Sequence, residues 1–193
     1  MTPAESRLVT YAMDRLAVVS GELVLTPTTE TGDGNIGQFD EQSRRMIVAI
    51  GRSDWCGVLA HELGHVEQLI DGRFSDGNAW AIADGWLENN KAVNTKILNN
   101  AINYIQRCEH DAEKHAIKLC KLFKVDLDFP DYIRKANAYL WAWEGARRYG
   151  RWPHSAVHTL CPSRLIPLKA LGTLPQEVES AYGSYNTVGI LTV

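Results

Sequence analysis

Between residues 3 and 19 the apolar positions Leu8, Tyr11, Ala12, Leu16 and Val19 recur at helical spacing, which predicts an amphipathic helix. Gly21 breaks the pattern, and GELVLTP reads as a short strand stopped by Pro27. TTETGDGN is turn chemistry, and the stretches IGQFD and RRMIVAIG then predict two strands joined at EQS as a hairpin. Over residues 53–72 a stripe of Val58, Leu59, Leu63, Val66, Leu69 and Ile70 predicts a helix, with Ser53 as its N-cap and Gly72 as its stop. AWAIADGWL predicts a short helix, residues 94–123 an unusually long one, and a further helix starts after Pro130 and ends near Gly150. Beyond it Pro153, Pro162, Pro167 and Pro175 cut the chain into short helices and loops, and the tail GSYNTVGILTV is an added strand or a flexible end. The pattern describes a mainly helical α+β protein with a small hairpin or sheet. Residues 1–150 are read as one domain and 151–193 as a loop-rich extension packed on it.

Composition narrows the function classes. Of 193 residues, 45% are apolar and 22% charged, which is ordinary for a globular protein that can bury one core. The net charge of -3, with Lys and Arg dispersed, disfavours nucleic acid as a partner. There is no apolar run long enough to span a bilayer, and the acidic residues near the N-terminus do not suit an export signal, so a cytoplasmic protein is expected. Cys56, Cys108, Cys120 and Cys161 form no CxxC pair, which excludes a zinc ribbon and a thioredoxin-type motif and predicts reduced, partly buried thiols.

The chemistry concentrates at residues 61–65, His-Glu-Leu-Gly-His. Side chains four apart share a helix face, so His61 and His65 can place two imidazole nitrogens on one cation. Glu62 stands beside that cation, where it can take a proton from a water the metal has acidified. With six histidines and twelve glutamates in the chain, HExxH arises by chance in on the order of one such chain in a hundred. The amphipathic context and the small residue Gly64, which suits a close helix crossing, favour the metal-binding reading over histidines that merely hydrogen-bond in a core.

A hydrolytic zinc site takes three protein ligands and leaves one position for water. Asp84, Glu88, Glu109, Asp111 and Glu113 could complete it, and His110, His115, His154 and His158 are also available. At about 100° per residue, Leu98, Ala101, Ile102, Ile105, Ala112, Ala116, Leu119 and Phe123 cluster on one side of the long helix, and Glu109 falls inside that stripe. A carboxylate facing a core needs compensation, which a metal would provide and a buried Arg or Lys could also provide. Glu109 is therefore the expected ligand. Glu113, one turn on at the rim, is expected to orient a zinc-bound histidine through its free ring nitrogen.

HELGH followed by Glu109-His110-Asp111-Ala112-Glu113 resembles the gluzincin metallopeptidases, one branch of which carries a pattern like E-x-[DE]-A-[DE] on a second helix. The resemblance spans roughly residues 36–123 and is to compact, minimal members. It implies a zincin-like core made of a hairpin, an active-site helix and a glutamate-bearing backing helix, with Zn2+ on His61, His65 and Glu109. It also implies Glu62 as the general base and Glu113 supporting a histidine. This chain has Glu113 where Asp is more usual, and no third histidine at metzincin spacing after His65.

The expected reaction is amide hydrolysis of a peptide or protein substrate, lying beside an edge strand placed within residues 44–50. Tyr149, His154 and His158 are candidates to meet the oxyanion or the substrate. Two other readings stand beside it: a catalytically silent zincin-fold binding or regulatory module, and a hydrolase of a non-peptide amide. Trp80, Trp86, Trp141, Trp143 and Trp152 read as core rather than as a pocket lining.

Overall fold

Helix α1 (Pro3–Val18) starts where Thr2 and Glu5 cap each other reciprocally, with Pro3 in the first turn. It buries Leu8, Ala12 and Leu16 as its spacing predicts. The structure, a computed structural model, describes residues 1–31, 35–73, 77–89, 93–150 and 155–183. Among the described residues there are six α-helices, two short 3-10 helices and one three-stranded mixed sheet, a mainly helical α+β arrangement.

The sheet consists of β1 (Glu22–Thr26), β2 (Gly37–Asp40) and β3 (Arg45–Ala49) in the order β1-β3-β2. β2 and β3 form the expected antiparallel hairpin, with Phe39 opposite Met46. β1 runs parallel to β3 on its other side, Val24 opposite Ile47. The expectation of an edge strand within residues 44–50 is therefore corrected. β3 is the central strand, and the edge next to the following helix is β2.

That helix, α2 (Trp55–Ile70), is N-capped by Asp54 rather than by the expected Ser53. The Asp54 carboxylate is held by the Arg52 guanidinium at 2.8 and 2.9 Å, so its side chain makes no cap bond. Gly72, at φ +63°, supplies the stop. α2 is buried on most of its circumference: β2, β3 and α1 pack on it, and Leu59, Leu63 and Val66 are buried. Close packing needs small residues. A Cβ on Gly37 would stand 2.3 Å from a Val58 methyl, and one on Gly57 would stand 2.5 Å from the Tyr132 ring.

The remaining helices are α3 (Gly77–Asn89), α4 (Thr95–Phe123), α5 (Phe129–Tyr149) and α6 (Gln176–Gly183). α5 begins one residue ahead of Pro130, which occupies its first turn, rather than after it. The short helices expected beyond residue 150 are present at Ser155–Leu160, Leu168–Ala170 and α6, whereas 184–193, nearly all of the tail, lie outside the described residues. The chain forms two compact units. Met1–Ser75 with Cys108–Tyr132 is the first, holding α1, the sheet, α2 and the later turns of α4; Asp76–Arg107 with Ile133–Val193 is the second.

In the second unit Ala79, Ala83, Leu98, Ile102, Ile105 and Trp143 form one apolar cluster, and Leu140, Trp141, Ile166, Leu171 and Val178 form another. Trp80 meets Trp143 edge to face at 5.5 Å, so these indoles are core, and Trp152 lies outside the described residues. Asn137, fully buried, donates to Pro162 O and Arg164 O at 2.7 and 2.9 Å and accepts from Ile166 N at 3.0 Å, which fixes that loop without regular structure. All four cysteines are buried as thiols, and burial pushes Cys56 and Cys120 up to about 12 and Cys161 up to about 11. Among the described residues no helix is long and apolar enough to cross a membrane.

Candidate metal centre

His61 and His65 occupy successive turns of α2, with ring centroids 4.9 Å apart and planes at 81°. Their Nε2 atoms face each other at 3.2 Å. Glu109 reaches them from α4: Oε2 lies 3.1 Å from His61 Nε2 and Oε1 lies 3.5 Å from His65 Nε2. The helices approach this closely because Gly64 faces Ala112. A Cβ on Gly64 would sit 2.7 Å from Ala112 Cα. The sequence placed Glu109 within an apolar stripe, and it is indeed buried, with histidines rather than Arg or Lys beside it.

These residues fit a divalent metal. Three atoms with available electron pairs repel at such distances unless positive charge is shared among them, and Glu109 Oε2 is buried without a hydrogen-bond partner. Ligands about 2.0–2.1 Å from a tetrahedral zinc ion stand about 3.3 Å from one another. The Nε2–Nε2 distance of 3.2 Å matches that edge, and the two carboxylate oxygens lie at similar range, one 3.1 Å from His61 and the other 3.5 Å from His65. The set is His2Glu, in which the two imidazole side chains keep 14% and 17% exposure while Glu109 is buried.

The charges are shaped by the same contacts. Burial alone would lower the pKa of His61, but the Glu113 and Glu109 carboxylates outweigh it and hold the imidazole well above its usual value. Burial alone would raise Glu109, yet His65 and His61 outweigh it and draw the carboxyl below the ordinary range. Glu62, on the same helix, is also buried, and there desolvation wins and lifts its pKa, against the lowering effect of both imidazoles and the Phe39 backbone N–H. Its carboxylate lies against β2, where Oε1 would be 3.3 Å from a Cβ on Gly37.

Behind the three candidate ligands stand further polar side chains. His61 Nδ1 lies 3.1 Å from Glu113 Oε1, close but out of line for a straight hydrogen bond. The other oxygen of Glu113 accepts from the Tyr132 hydroxyl at 2.7 Å, and the same hydroxyl lies 3.3 Å from Gly57 O. Glu113 thus sits behind a histidine rather than in the ligand group itself. His65 Nδ1 meets Gln68 Oε1 at 3.0 Å. Sequence reasoning missed Tyr132 and Gln68. Tyr132 carries no local signal, whereas Gln68, three residues after His65, shares its helix face and could have been found by spacing.

The other sequence candidates have different surroundings. Asp84 is exposed on α3, and the Glu88 side chain lies outside the described residues. Tyr149 belongs to the second unit, where its hydroxyl donates to Glu179 Oε1 at 3.2 Å. His158 is half-buried in the 3-10 helix of that unit, and His154 lies outside the described residues. Among the described residues His61, His65 and Glu109 are the group that could hold a metal ion. No protein-family model, curated protein or solved structure matches the chain.

Proposed function

We propose that the chain is a zinc-dependent peptidase with a zincin-like core, in which His61, His65 and Glu109 hold the metal and Glu62 is the general base. The observation that carries this reading is the convergence of two imidazole Nε2 atoms and one carboxylate at 3.1–3.5 Å, on imidazole side chains that are 14% and 17% exposed. Three protein ligands with an open approach are the pattern of a hydrolytic site, whereas a structural zinc is closed by four. Two imidazoles and a carboxylate suit zinc among the common divalent ions. The order HELGH, Glu109, Glu113 also follows the gluzincin arrangement.

When bound, zinc would supply Lewis acidity toward a scissile carbonyl and a water molecule. The rest belongs to the chain's own side chains. Burial raises the pKa of Glu62, the direction that suits a group accepting the proton of the attacking water and passing it to the leaving amine. The Phe39 N–H holds that carboxylate against β2. A peptide adding to the β2 edge in extended form would therefore run beside the base. Glu113 and Tyr132 keep the His61 ring oriented while this happens.

The test uses the full chain, loaded with zinc, and an unstructured protein as substrate. The wild type is expected to cleave it, and Glu62→Gln to retain zinc while losing about 100-fold or more of the rate. Zinc-loaded wild type that cleaves neither unstructured proteins nor peptides would instead identify a silent metal-binding module. A Glu62→Gln variant as active as wild type would remove Glu62 from the chemistry.

A further inference from the structure

We infer that Gln68 is a positioning residue that fixes the ring of His65 and the height of Glu109 at the same time; the inference rests on the metal-site reading above. Gln68 is buried at the end of α2, one turn beyond His65. Its side-chain nitrogen donates to the Cys108 carbonyl at 2.8 Å and lies 3.3 Å from Asp111 Oδ2, which the Arg73 guanidinium holds at 3.0 Å. A carbonyl and a carboxylate only accept, so the amide must face them with its NH2 group. That leaves Oε1 toward His65 Nδ1, at 3.0 Å. An amide oxygen cannot donate, so Nδ1 carries the proton and Nε2 presents its lone pair toward Glu109.

The second consequence concerns α4. Cys108 directly precedes Glu109, so the bond to its carbonyl pins the turn that carries the acidic ligand to the turn of α2 that follows the second histidine. One buried amide, held at both ends, therefore sets two of the three ligands. His61 is backed differently, by the Glu113 carboxylate and Tyr132. The two imidazoles thus have unlike supports, one anionic and one neutral, and only the neutral one reaches the backbone beside Glu109.

Gln68→Met keeps the length of the side chain and removes its hydrogen bonds. Zinc affinity, measured by competition with a chromophoric chelator on folded full-length protein, is expected to fall about 10- to 100-fold. Nitrogen-15 NMR of the metal-free wild type is expected to show His65 as the Nδ1–H tautomer, and Gln68→Met to show a mixture while His61 keeps its state. A merely structural role would lower the melting temperature of Gln68→Met and leave the tautomer and the affinity as they are. An affinity unchanged in Gln68→Met, or a wild-type His65 protonated on Nε2, would overturn the inference even if the wild type binds zinc. Should Gln68→Met not fold, the wild-type tautomer alone decides. A wild type that takes up no zinc would overturn the metal reading and the role of Gln68 with it.

Discussion

At the level of single residues, the site depends on groups that do not themselves touch the cation position. The Tyr132 hydroxyl, kept protonated by burial and by Glu113, donates to that carboxylate at 2.7 Å. Tyr132→Phe leaves a buried carboxylate oxygen short of its donor, which costs about 1–3 kcal/mol. The measurement is a urea midpoint, and a midpoint equal to wild type would show that Glu113 has another source of support. A metal held as proposed would compete with the proton for His61. Its pKa is raised in the folded chain, so the stabilising effect of its proton is complete below the usual histidine pKa and lost as pH rises through the elevated value. A metal bound there would have to displace that proton. The increase in melting temperature caused by zinc is therefore expected to be larger near about pH 8 than near about pH 6. An increase that shrinks with pH would mean that His61 is not a ligand. The approach of His61 to His65 was legible because HxxxH encodes a spatial relation within one helix, and that of Glu109 because an acid stood among apolar residues of one stripe. Tyr132 was not, since its partner lies 19 residues away in sequence and no local pattern records such a pair; for Gln68 the spacing to His65 was local, and only its bond to the Cys108 carbonyl, 40 residues on, was hidden.

At the level of elements, two helices carry the ligands and their crossing sets the distances. Gly64 and Ala112 are the contact point, so Gly64→Ala would put a methyl group 2.7 Å from Ala112 Cα and drive α4 away from α2. Overpacking of this kind costs about 1–3 kcal/mol, and here it also separates Glu109 from the histidines. The expected result is a lower melting temperature together with weakened zinc binding. A variant that loses stability but binds zinc normally would place the ligand geometry elsewhere. The sequence foresaw the close approach at Gly64, and the amphipathic spacing foresaw α1, α2 and α4. It did not foresee the order of the sheet. β1 pairs with β3 through parallel hydrogen bonds between segments 23 residues apart, such as Glu22 with Arg45, and strand alternation says nothing about which neighbour lies on which side. The N-cap moved from Ser53 to Asp54, next to which Arg52 holds the carboxylate away from the helix end.

At the level of the whole molecule, every ligand and supporting residue of the centre belongs to the first compact unit, drawn from β2, α2, the later turns of α4 and the first turn of α5. The second unit has its own apolar clusters and its own ion pairs, the buried Glu144 with the partly exposed Arg147 and Arg148. A cation that joins α2 to α4 should stabilise the first unit by mass action, by about 4 kcal/mol at a thousandfold excess over the dissociation constant. The most direct test of the central claim is X-ray absorption on the full chain loaded with zinc, repeated on His61→Ala and Glu109→Ala. The account predicts one zinc per chain, two imidazole nitrogens at about 2.0–2.1 Å with a carboxylate oxygen beside them, and a shell reduced by the corresponding ligand, or lost, in each variant. Sulfur in the shell, or a shell identical in all three proteins, would contradict it.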